Sequence, residues 1–134
     1  VRLIIVGPPS TKKTSQRIIF NKKTGKMMVI GSSKSRSWET DAVDQLCRQW
    51  RGLPMVEPVS VRALIYRDRN AGDLTGFIQA IGDALQGGGS RKRSKRVPCV
   101  LDDDSQIISW DGSRKLIDRE NPRVELTIEP MGPL

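Results

Sequence analysis

The 134-residue chain is long enough to bury one core without disulfide or metal staples, and its 23 Lys and Arg against 15 Asp and Glu leave a net charge of +8. That surplus points to a polyanion, nucleic acid first; the cations sit among Gly and Ser with no basic amphipathic helix, so an anionic membrane is set aside. The chain has no histidine, and Cys47 and Cys99 match no metal-binding spacing, which excludes zinc and every Ser-His or Cys-His nucleophile and leaves catalysis to carboxylates, lysines or a hard metal ion.

From the N-terminal end, "VRLIIVGPP" predicts a buried strand over residues 1–6 that runs into a rigid Gly-Pro-Pro turn. Its apolar run is too short for a signal-peptide core or a membrane span, so a soluble, cytoplasmic protein is expected. Lys12 and Lys13 follow the turn and are candidate phosphate contacts. "RIIFNKKTGKMMVI" predicts a hairpin with Lys22, Lys23 and Lys26 at its tip.

A helix is expected over 38–51, with Ser37 as N-cap, Gly52 as terminator, and Trp38, Ala42, Val43, Leu46 and Trp50 on one face. A strand over 59–66 follows, burying Val59, Val61, Ala63 and Ile65.

"DLTGFIQAIGDALQ" is the most informative stretch. Leu74, Phe77, Ile78, Ile81 and Leu85 form one apolar stripe at helical spacing, Asp73 is placed to cap the helix, and Thr75, Gln79, Asp83 and Gln86 form a polar stripe on the other side. Gly76 and Gly82 each cost about 1 kcal/mol against Ala in a helix, so packing must hold this one together. Either glycine also lets another backbone come close.

Residues 87–97, "GGGSRKRSKRV", carry Arg91, Lys92, Arg93, Lys95 and Arg96 and no apolar residue before Val97; a flexible basic loop is expected. The acidic run Asp102-Asp103-Asp104 comes next, then a hairpin across Asp111-Gly112, then a last strand in which Val124, Leu126 and Ile128 alternate with polar residues. The expected architecture is a single α+β domain over 1–134, two-layered, with a mixed sheet and two main helices packed on it.

Taken singly, the carboxylates have plain readings: Asp73 a helix cap, the acidic run a solvated turn, Asp83 a solvent-facing helix residue. Their joint chemistry is more pointed. Phosphodiester hydrolysis needs a Lewis acid that neutralises charge on the phosphoryl oxygens and generates hydroxide near neutral pH, and Mg²⁺ held by Asp oxygens does both. Helix caps and strand ends are where such carboxylates converge.

"GPPSTKK", "GDLTGFIQAIGDALQ", "LDDDSQI" and the closing "PRVELTIEP" together resemble the RusA family of Holliday-junction resolvases, in an order and spacing that cover nearly the whole chain. The pairing of "DAL" with "DDSQI" is the specific part. The resemblance implies a small, basic, homodimeric endonuclease that uses Mg²⁺, or Mn²⁺ in its place, to nick branched DNA at four-way junctions in recombination and repair.

Carried over by position, Asp73 matches the family's first acidic residue, Asp83 the "DAL" aspartate, and Asp104 the later catalytic one with Asp103 beside it. Asp73, Asp103 and Asp104 are then the expected metal ligands. Thr75 stands where the family pattern has its second Asp, Gly76 where it has Asn, and Gln79 where it has Lys. Thr75 still offers a neutral oxygen to the metal, and Gln79 a hydrogen bond, but no charge, to a phosphate. Asp68, Asp83 or Asp102 are the alternatives for a further carboxylate. The other function implied is a RusA-like protein that binds branched DNA without cutting. In either case the cations of the 87–97 loop would hold phosphates that the carboxylates repel.

Overall fold

The computed structural model describes residues 1–10, 16–21, 23, 25–31, 33–88 and 98–133, with 16–21, 27–31 and 33–37 as backbone only. In chain order the elements are β1 (Arg2–Val6), β2 (Gln16–Asn21), β3 (Lys26–Gly31), α1 (Ser33–Gln49), β4 (Val59–Arg67), α2 (Leu74–Leu85), a 3-10 turn (Asp104–Gln106), β5 (Ile107–Ser109), β6 (Arg114–Ile117) and β7 (Arg123–Pro130).

β4 is the central strand. Its Val59, Val61, Ala63, Ile65 and Arg67 alternate to the buried side while Ser60, Arg62, Leu64 and Tyr66 face outward, the period-two pattern of a sheet covered on one face. β7 pairs antiparallel along its whole length, from Val59 opposite Pro130 to Tyr66 opposite Arg123, and β1 adds antiparallel to β7. With β5 and β6 on the other side of β4 this makes a mixed five-stranded sheet, and β2 and β3 form a separate two-stranded hairpin. The fold is α+β, with two helices as expected.

Both helices contribute to one core. Trp38, Ala42 and Leu46 of α1 and Phe77, Ala80, Ile81, Ala84 and Leu85 of α2 are buried with Leu3, Ile5, Val124, Leu126 and Ile128 of the sheet. Each large side chain so buried is worth roughly 1.5–3 kcal/mol relative to exposure, which offsets the two glycines inside α2. No helix among the described residues is long and apolar enough to cross a membrane.

Two expectations are corrected. Helix α1 begins at Ser33, so Ser37 lies inside it rather than capping it, and it ends at Gln49 rather than at residue 51. Nothing in Ser33–Ser37 breaks a helix, and the sequence signal at Ser37 marks only where the apolar face begins.

The second correction concerns Asp111-Gly112. β5 and β6 do not pair with each other; both run parallel to β4, β5 against its first residues and β6 against its last four. The turn is a detour between two collinear strands, closed by Ser113 N–H donating to Trp110 O (3.1 Å). Opposite the gap, the Ala63 N–H donates to Ser113 Oγ (3.0 Å), so the ladder loses no partner there.

The outer edge of β1 is covered by side chains. Ile4 and Val6 donate their N–H groups to Gln49 Oε1 (2.9 Å) and Gln45 Oε1 (2.8 Å). The same amides return their Nε2 protons to Ile4 O (2.6 Å) and Val6 O (2.9 Å). One turn apart on α1, the two glutamines complete the hydrogen bonding that a neighbouring strand would supply.

Between β6 and β7, Asp118 accepts from the N–H groups of Glu120 and Asn121 (3.2 and 3.1 Å) and from Arg123 (2.8 Å). The hydrogen bond from Arg123 is the main cause that holds the Asp118 carboxyl below its ordinary value. Arg123 also lies over the Tyr66 ring, 3.9 Å from its centroid.

Candidate functional site: an acidic turn on the polar face of α2

Asp73 starts the site. It adopts an extended backbone and its Oδ1 accepts from Gly76 N–H (2.9 Å), so it is the N-cap of α2. The helix then buries Phe77, Ile81 and Leu85, which turns Thr75 and Gln79 to solvent. Continuing that face by helical spacing brings Gly82, Asp83 and Gln86 into the same strip.

The acidic run returns to this strip. Leu101, fully buried, donates its N–H to Leu85 O (3.0 Å). Asp102 N–H donates to Met55 O (3.1 Å). Gln106 then clamps the turn from three sides: Oε1 accepts from Asp103 N–H (2.8 Å), and Nε2 donates to Met55 O (2.8 Å) and Glu57 O (3.0 Å). Ser105 Oγ donates to Asp103 Oδ2 (2.6 Å). Gln86 joins helix to turn by accepting from Asp104 N–H (3.0 Å).

Gly82 is where the two parts meet. A Cβ placed on it would stand 3.9 Å from Asp104 Cβ and 3.9 Å from Trp110 Cζ2. A longer side chain would enter the space the turn occupies. The sequence marks Gly82 only as a weak helix residue; its purpose is the approach of the turn.

Asp104 is therefore seated beside Gly82, with Asp83 next in the helix and Gln79 one turn back. Asp102 and Asp104 are exposed and Asp103 half-buried. Asp73 stands at the other end of the strip, nine residues from Gly82, or about 13 Å along the helix axis. Thr75 and Gln79 lie between. Asp68 is exposed at the loop that follows β4. Among the described residues, no three of His, Cys, Asp and Glu converge closely enough to hold a metal ion by themselves. The donor set is nevertheless of the right kind for Mg²⁺, a hard cation that takes one or two carboxylates and fills its remaining positions with water and substrate phosphate.

Lys12, Lys13, Arg91, Lys92, Arg93, Lys95 and Arg96, and the basic loop from residue 89 onward, lie outside the described residues. Lys23 and Lys26 are exposed at the β2–β3 tip. Sequence reasoning missed Gln106 as the clamp of the turn, although it is part of the "DDSQI" signature. It also missed the meeting of Cys47 with Cys99, whose sulfurs are in contact and whose Cα atoms lie 5.5 Å apart. That contact ties α1 to the segment leading into the acidic turn.

The chain matches no protein-family model, and no curated protein matches it.

Proposed function

We propose that the protein is a Mg²⁺-dependent, structure-selective DNA endonuclease that nicks four-way junctions, and that the acidic turn on α2 is its reacting site. One observation carries the reading: Asp103 and Asp104 are held against the polar face of a helix whose Gly82 makes room for them. The charge of +8 and the likeness to the RusA pattern support a DNA substrate and a homodimer, since a junction cut symmetrically needs two sites.

Asp104 and Asp103 are the residues that would hold the ion; Asp73 and Thr75, expected as its other ligands, stand roughly 10–13 Å away along the axis of α2 and are out of reach of the same ion. Bound there, Mg²⁺ supplies charge neutralisation at the phosphoryl group and acidifies water. The chain's own groups do the positioning. Gln106 and Ser105 fix Asp103, and Gln86 fixes the backbone of Asp104. Gln79, exposed between the two ends of the strip, donates to phosphate oxygen without adding charge.

The test is incubation of a labelled four-way junction with protein and Mg²⁺ or Mn²⁺. Paired nicks, lost in Asp104→Asn with junction binding retained, are the expected result; binding without nicks at any metal concentration overturns the endonuclease reading.

A second reading is favoured by Thr75 and Gln79, which put no charge on the exposed strip where the family pattern has Asp and Lys. On this reading the protein binds branched DNA and leaves it intact, and Thr75→Asp with Gln79→Lys creates cleavage.

A further inference from the structure

At the Asp73 end of α2, away from the acidic turn, a cavity of about 240 Å³ opens where β4 and β6 end side by side. Its polar wall is Arg67, Arg69, Asn70 and Lys115, its apolar wall Leu116 and Ile117, and no carboxylate lines it among the described residues. The strands are parallel here, Arg67 opposite Ile117 and Ile65 opposite Lys115. The crevice beyond the carboxyl ends of parallel strands is where open sheets take ligands.

Arg67 is the unusual member. It is buried, with 9% of its surface exposed, on the core side of the sheet. One terminal nitrogen donates to Ala71 O (3.0 Å) and its guanidinium lies 5.3 Å from the Phe77 ring centroid. Its buried Nε has no hydrogen-bond partner among the described residues. A buried charge with a donor left unmet is costly, which makes Arg67 the least expected residue on this side of the sheet. Lys115 Nζ donates to Gly72 O (2.9 Å) and Asn70 Oδ1 (3.3 Å), which pins the loop that forms the rim. Arg69 adds a third, exposed cation.

We infer that this cavity is a phosphate-binding pocket, built by Arg67, Arg69 and Lys115, and that the phosphate it takes belongs to a DNA backbone. Three cations converge on a space large enough for a phosphoryl group and its waters, with no acid among its described lining residues to compensate them. An anion there faces three cations and needs no base contact, so the pocket sets register on the duplex and carries no sequence preference. The identity of the phosphate rests on the proposed function; the anion site rests on the pocket alone.

Two measurements on the full chain test it, both without divalent metal. In the first, inorganic phosphate is titrated into ¹⁵N-labelled protein, and the amides of Asn70, Ala71 and Gly72 are expected to shift saturably in wild type and much less in Lys115→Ala. In the second, four-way-junction affinity is followed between 50 and 200 mM salt. Arg69→Ala, which leaves every bond of Arg67 and Lys115 in place, is expected to lower the slope of log affinity against log salt by about 1.

Shifts with phosphate but an unchanged slope overturn the backbone assignment and leave a small phosphate ester as ligand. No shifts and an unchanged slope overturn the pocket itself. Both effects in a protein that fails to nick junctions sustain the pocket and remove the nuclease.

Discussion

Asp104 rests its Cβ 3.9 Å from the point where a side chain would begin on Gly82. That spacing is ordinary contact for one methyl group and too little for anything longer. Gly82→Ala is therefore expected to fold with up to about 1 kcal/mol more stability, from helix propensity, and to keep cleavage. Gly82→Leu is expected to push the turn away and abolish cleavage while junction binding persists. Urea unfolding and a junction-nicking assay on both variants check the pair.

Asp73 caps α2, and substitution separates that role from any part its charge takes in the proposed chemistry. Asn caps a helix about as well as Asp, and Ala does not. Asp73→Ala is expected to lose about 1 kcal/mol of stability, and Asp73→Asn almost none. Cleavage slowed in Asp73→Asn at unchanged melting temperature assigns the carboxylate a part in the chemistry; Asp104→Asn is expected to abolish cleavage outright.

Gly72 carries φ +80°, and a Cβ there would come 2.7 Å from the Phe77 ring. The backbone is strained for any other residue and the ring is buried in the core. Gly72→Ala is expected to cost roughly 3 kcal/mol by chemical denaturation, from strain and overpacking together.

The helix α2 and the strand β4 were legible because their periods are unambiguous: Phe77, Ile81 and Leu85 on one side, Val59 to Ile65 in alternation on the other. Motif order implied that the acidic run meets Asp73 at the cap of α2; it meets the other end of the helix, at Gly82 and Gln86. What fixes it, Gln106 reaching Met55 and Glu57, joins residues about fifty positions apart and leaves no local pattern. Asp111-Gly112 announced a turn correctly, but a turn residue does not say whether the chain comes back against itself or continues along a third strand. The contact of Cys47 with Cys99, separated by 52 residues, and the convergence of Arg67 with Lys115 are likewise products of topology.

Asp118 gives a pH test. Its folded carboxyl lies below the ordinary 3.8, chiefly because Arg123 donates to it. The native state thus binds this proton less readily than the unfolded chain does. The stabilisation is present above the unfolded value and is lost as pH falls through the folded one. A carboxyl NMR titration is expected to show Asp118 titrating below the ordinary 3.8, and Arg123→Ala to return it towards that value.

The pairing of Gln45 and Gln49 with β1 has a consequence for assembly. By counterfeiting a strand, the two amides close one margin of the sheet to any copy that would extend it by backbone pairing. Backbone pairing between copies is then left to the opposite edge of the sheet, at β5 and β6. Replacing both glutamines with alanine would reopen that margin and invite pairing of β1 with β1 of a second copy.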